Sequence, residues 1–136
     1  MHKDNELTYI YMSTACWKNR NVKPLSMSEQ TAICRTFMKQ HPELKKLKTF
    51  HDRSMEKSPS KELYQLLDEL EHRKADCIVI ASIIHFFCNS EEARYYLTNV
   101  MNPAGLRLIA ISENFDSLRH TDKKDLKRLF GKENNI

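Results

Sequence analysis

Apolar positions along the chain follow two periods in alternation. Residues 7–12, Leu7-Thr8-Tyr9-Ile10-Tyr11-Met12, form a short apolar, β-branched and aromatic run that stops at the hydroxyl residues Ser13 and Thr14, which predicts a strand. Ser26 precedes Glu29 at capping-box spacing, and Ile33, Cys34, Phe37 and Met38 follow at helical intervals until Pro42 ends the helix. Residues 47–51 read as a second strand. Ser58 and Pro59 offer an N-cap and a proline at the first helical position. Leu63, Leu66, Leu67 and Leu70 then make an i, i+3, i+4, i+7 stripe, the clearest helix in the chain. Residues 77–81 are continuously apolar, as expected of a central parallel strand covered on both faces. A helix over 90–102, before Pro103 and Gly105, a strand over 107–111 and a short helix over 122–130 complete the pattern.

Strands alternating with helices at this spacing predict right-handed crossovers and an α/β fold. The sheet is expected to be open, three-layered and mainly parallel, with about four strands and helices on both faces. Sites in such sheets form at the carboxyl ends of the strands. Ser13, His51 with Asp52, residues 82–88 and residues 112–116 should therefore converge.

A length of 136 residues with 40% hydrophobic content suits a single modest core. No apolar run is long enough to cross a bilayer, and the polar start lacks the apolar centre of a signal peptide, so a cytoplasmic chain with no membrane partner is expected. The cysteines at 16, 34, 77 and 88 form no Cys-x-x-Cys pair, and no disulfide framework is expected. A net charge of +4 permits contact with nucleic acid, although the basic residues of 119–132 are interleaved with Asp122 and Asp125 as on a solvated helical face. Gly105 and Gly131 are the only glycines. No loop can then wrap phosphates with bare backbone, which excludes P-loop and dinucleotide-binding readings.

The stretch Tyr9-Ile10-Tyr11-Met12-Ser13-Thr14, read with Leu25-Ser26-Met27-Ser28-Glu29-Gln30 and Glu113-Asn114-Phe115-Asp116-Ser117, resembles the N-terminal catalytic domain of the serine recombinases, the resolvase and invertase family. The resemblance covers residues 8–117 and implies a resolvase-like fold over 1–118, followed by a short polar helix and tail over 119–136. By that resemblance Ser13 stands at the position of the nucleophile that attacks a DNA phosphodiester. Tyr9, Thr14, Gln30 and Asp52 match neighbouring positions of the family's site, and Glu113, Phe115 and Asp116 match its Glu-x-x-Asp segment. The implied chemistry needs no cofactor. DNA, a second copy of the chain, or an intact recombinase in a heterodimer are the implied partners.

The departures lie where the family places cations. Tyr11 stands at the first arginine, Ser60 near the second, and Ile84-His85-Phe86-Phe87-Cys88 replaces Asp-Arg-x-x-Arg, so His85 and Cys88 occupy two more. Serine attack on phosphorus needs a deprotonated hydroxyl and cations around the phosphate, and one preorganised donor is worth about a hundred- to a thousand-fold in rate. Tyrosine and cysteine cannot imitate a guanidinium fork. This predicts a recombinase-like accessory with impaired catalysis. Two alternatives stay open. Catalysis survives if Lys18, Arg20, Arg53 or Lys57 supplies the missing charge. Otherwise the domain is a small-molecule or zinc-binding α/β module, with a pocket lined by Tyr11, Trp17, His85 and Cys88, or a zinc site or thiol–imidazole pair built from Cys16, His51, His85 and Cys88. The family's long apolar dimer helix has no counterpart after Ser117, where the apolar residues before Ile136 are Leu118, Leu126, Leu129 and Phe130. Residues 132–136 read as a frayed natural terminus.

Overall fold

The computed structural model describes residues 6–18, 22–53, 61–120 and 122–131. Strands β1 (Glu6–Ser13), β2 (Leu44–Asp52), β3 (Cys77–Ile80), β4 (Arg107–Ala110) and β5 (Phe115–Asp116) form one sheet in the order β2-β1-β3-β4-β5. The first four are parallel, as the alternating pattern predicts, and β5 returns antiparallel to β4. The fifth strand exceeds the expected four; a two-residue strand is too short to show a period of two. β2 starts at Leu44, earlier than its apolar run, because it is an edge strand where Lys45, Lys46 and Lys48 can face water. A bulge opposite Thr8 and Tyr9 leaves Leu47 outside the register and half exposed.

The helices are α1 (Met27–Gln40), α2 (Lys61–Glu71), α3 (Ser90–Tyr96), α4 (Asn102–Ala104) and α5 (Lys123–Phe130). Ser26 and Glu29 form the expected capping box at α1. All four leucines of the α2 stripe are buried. Ser58 and Pro59 lie outside the described residues. The helix expected over 90–102 is a composite: α3 passes through a π-helical turn, Leu97–Met101, into α4. Pro103 lacks an N–H and its ring displaces the preceding carbonyl, which accounts for the widened turn before it. Gly105 then closes α4 in the left-handed region at φ 75°.

Right-handed crossovers dictate the layers. A connection from β1 out to β2 puts α1 on one face; those from β2 across to β3 and from β3 to β4 put α2 and α3 on the other. The buried residues divide in this way. Ile10, Met12, Cys77, Val79 and Ile109 meet α1 through Met27 and Cys34. Tyr9, Tyr11, Phe50, Ile78, Ile80 and Leu108 meet the leucines of α2 and Ala93, Tyr96 and Leu97 of the α3 run. α5 joins the larger core: Leu129 is buried, and Phe130 stacks on Trp17 with ring centres 5.9 Å apart. Among the described residues no helix is long and apolar enough to cross a membrane.

Candidate active site

From β1 the chain moves to β2 on one side and then to β3 on the other, so strand order reverses between β1 and β3. The crevice beyond the carboxyl ends at such a switch point is where open α/β sheets hold their sites. Ser13 closes β1, Asp52 closes β2, and Ser82 follows β3 as the N-cap of a 3-10 turn, Ile83–His85.

Ser13 is only 2% exposed. The Gln30 side chain from α1 brackets its peptide, accepting the Ser13 N–H through Oε1 at 3.1 Å and donating from Nε2 to the Ser13 carbonyl at 2.8 Å. That amide extends the ladder where the strands end. Nε2 also donates to the Leu25 carbonyl at 3.1 Å. Ser13 Oγ accepts the Ala15 N–H at 3.0 Å, the geometry of a serine turn.

Tyr11 lies two residues before Ser13, on the same sheet face. Its hydroxyl donates to Asp52 Oδ2 at 2.6 Å. That commits its single proton, so in the hydrogen bond between Ser13 and Tyr11 the serine donates. Burial first, and then the Asp52 carboxylate, pushes the Tyr11 pKa far above the ordinary value of 10.0, outweighing the opposite pull of Ser13. Asp52 is itself buried and accepts the α2 N–H groups of Glu62 at 3.2 Å and Leu63 at 3.0 Å. It is an N-terminal anion for α2, a role with no short-range signature because the helix begins nine residues later. Exposed Thr14 ties the same strand ends by donating its N–H to the Asp52 carbonyl at 2.9 Å.

His85 is buried between loops. Leu25 donates its N–H to Nε2 at 3.0 Å, which requires an unprotonated Nε2; Nδ1 therefore carries the proton and donates to the Ala15 carbonyl at 2.8 Å. A neutral imidazole staples residue 15 to residue 25. The loop after Ser13 is held again where Trp17 donates its N–H to the Ile84 carbonyl and its indole Nε1–H to the Phe86 carbonyl, both at 2.9 Å. His85→Ala is expected to cost about 2–3 kcal/mol, from a cavity and two orphaned backbone groups. Denaturant unfolding checks this, with amide exchange at Leu25 rising at least about tenfold.

Glu113 receives Ser82 Oγ–H at 2.7 Å and the Ile83 N–H at 2.9 Å, fastening the β4–β5 turn to the end of β3. Tyr9 is on the Tyr11 face but four residues before Ser13, about 13 Å from the strand end by strand rise. Its hydroxyl bonds Glu69 of α2 at 2.5 Å, and burial with that carboxylate pushes its pKa up to about 12. Asp116 lies away from the strand ends, in a fork with Arg107. Ser60, Arg20 and Lys57 lie outside the described residues, while Lys18 and Arg53 are exposed.

The proposed metal and thiol groupings do not assemble. His51 sits beside Met12 in the register, on the face opposite Asp52, and points to solvent. One-turn spacing between His85 and Cys88 fails because the helical turn ends at His85: Phe86 is extended and Phe87 left-handed at φ 66°. Burial first and then Glu92 raise the Cys88 thiol pKa, the opposite of an activated thiolate. No group of three His, Cys, Asp or Glu side chains is placed to hold a metal among the described residues. Tyr11, Trp17 and His85 are all buried.

No protein-family model and no curated protein matches the sequence. Solved structures are similar. The N-terminal catalytic domain of TP901-1 integrase superposes with a TM-score of 0.72 at 13% identity, covering 91% of both chains. A resolvase family site-specific recombinase from Streptococcus pneumoniae gives 0.68 at 15% identity, over 92% of this chain and 83% of that one. The C-terminal catalytic domain of ISC1926 TnpA, an IS607-like serine recombinase, gives 0.57 at 13% identity, over 77% and 70%. At such identities the likeness is one of architecture: this chain has the α/β fold of serine-recombinase catalytic domains.

Proposed function

We propose that the chain is a serine-recombinase-like accessory domain that associates with DNA or with an intact recombinase and does not itself cut strands efficiently. The observation that carries this reading is the burial of Ser13, at 2% exposure, behind a loop pinned by His85 and Trp17. At that exposure a phosphodiester reaches Ser13 Oγ only if the groups covering it move. Attack on phosphorus further requires cations around the non-bridging oxygens. Of the four positions where the resemblance places arginine, Tyr11 binds a carboxylate, His85 is a neutral staple and Cys88 is a protonated thiol; Ser60 is outside the described residues. Tyr11 and His85 thus put groups that hold the fold together where the resemblance expects phosphate ligands.

One observation favours residual activity. The hydrogen-bond chain from Ser13 through Tyr11 to Asp52 is a route by which the serine proton can leave. The two readings separate in denaturing capture of the tagged protein from cells of its source, with covalently retained DNA sequenced and an active recombinase as positive control. Equal background from wild type and Ser13→Ala is the expected outcome. Serine-dependent fragments at discrete sites would overturn the inactive reading. For the accessory role, co-expression with an active relative should give a complex or altered recombination, and neither would leave that role without support.

A further inference from the structure

The last helix, α5, docks through a small contact. Of its eight residues only Leu129 is buried, with Leu126 and Phe130 half-buried beside it, while Lys123, Lys124, Lys127 and Arg128 are exposed. A helix of about two turns does not persist in water by itself, so α5 holds its form only while docked. α2, with four buried leucines, has far more to lose on opening. Release of α5 therefore lies at the low end of the opening free energies of this fold.

The attachments of α5 converge on the carboxyl ends of the strands. Phe130 stacks on Trp17, with ring centres 5.9 Å apart and planes 27° from parallel. Arg128 Nη1 donates to the Glu113 carbonyl at 2.9 Å, in the turn whose carboxylate holds Ser82 and Ile83. From Trp17 a continuous set of bonds runs back to Ser13. The Trp17 amide and indole are fixed to the Ile84 and Phe86 carbonyls, the Ala15 carbonyl to His85, and the Ala15 N–H to Ser13 Oγ at 3.0 Å. We infer that α5 is a strap whose docking keeps the Ser13 segment closed and whose release admits reagents from solvent to the side chain at position 13. Core filling accounts for Leu129. It does not require Phe130 and Arg128 to settle on the two segments that continue from Ser13 and secure Ser82. The inference concerns access to position 13 and stands whether or not Ser13 cuts DNA.

A thiol introduced by Ser13→Cys in the full chain tests it, alkylated with iodoacetamide and separated from native Cys16 by peptide fragmentation in a mass spectrometer. Ser13 is 2% exposed, so with α5 intact the new thiol should react slowly, through opening alone. Adding Phe130→Ala should speed its alkylation about fivefold or more, and adding Leu129→Ala as well should speed it further, as a ring stack and then a buried leucine are lost. Phe130 is half-buried, so its replacement leaves the domain folded. In chains that keep Ser13, the same α5 changes should raise hydrogen exchange at the Trp17 indole and the Ala15 amide more than at the β3 amides, which report global opening. Unchanged alkylation in the variant lacking both apolar side chains, or a rise no greater than that of β3 exchange, would overturn the strap.

Discussion

Arg107→Met should remove about 3–5 kcal/mol of folding stability, the cost of leaving buried charge without its partner. Arg107 opens β4 and is nearly buried, with Cys77 of β3 directly beside it in the register. Its Nη1 donates to Glu6 Oε1 at 2.6 Å, while Nε and Nη2 form a fork on Asp116 at 3.0 and 2.6 Å. All three side chains are between 11% and 14% exposed, so solvent screens these pairs weakly. Methionine matches the volume but leaves two carboxylates facing each other's field. β5 is only two residues long and loses its principal side-chain anchor.

The pH dependence carries a defined sign. Burial pushes the Asp116 pKa up, but the Arg107 fork and the Leu118 N–H outweigh it and hold the carboxyl below the ordinary 3.8. A depressed folded-state pKa gives stability that is full above the unfolded value and disappears as pH falls through the folded one. In Arg107→Met the burial effect stands with its main opponent gone, so the Asp116 pKa rises and protonation relieves the variant. Urea unfolding of both proteins should therefore show the stability gap narrowing from about pH 6 to about pH 3. A constant gap would show that the guanidinium acts through packing rather than charge.

Asp52→Ala is the second large effect, expected at about 2–4 kcal/mol. It removes the anion at the start of α2, worth about 0.5–2 kcal/mol, and strands the buried Tyr11 hydroxyl, worth about 1–3 kcal/mol. The Tyr11 bond at 2.6 Å and the two backbone bonds at 3.2 and 3.0 Å make Asp52 the joint between β1, β2 and α2. Tyr11→Phe alone should cost about 1–2 kcal/mol, and the double variant should lose less than the sum, because each single change orphans the other's partner. A double-mutant cycle by chemical denaturation measures the coupling. Additive losses would mean that water substitutes for the missing group.

Elements with an unbroken period were legible from the chain. The α2 leucines, the fully apolar β3 and the Ser26–Glu29 capping box each carry their own local signal, and each has its structural counterpart. β5 and the π turn are not legible in this way: one is too short for a period, and the other depends on how Pro103 meets the turn before it. At the strand ends the sequence placed Ser13, Asp52 and residues 82–88 near one another, since a parallel sheet brings its carboxyl ends together. It could not say that His85 would spend both ring nitrogens on backbone groups 60 and 70 residues away. Nor could it show which of His51 and Asp52 would face the interior, because that turns on one residue of register.

What the chain determined by itself was the alternating α/β order, the faces its helices bury, and which residue types stand at the strand ends, because these follow from periods of 2 and 3.6 and from caps within a few residues. Tertiary structure alone decided what those residues do. The proton direction along Ser13, Tyr11 and Asp52, the neutral tautomer of His85 and the pairing of Arg107 with Glu6 and Asp116 are set by partners far apart in sequence. A hydrogen bond or ion pair has its character only where the groups meet and water is excluded, and long-range packing fixes both.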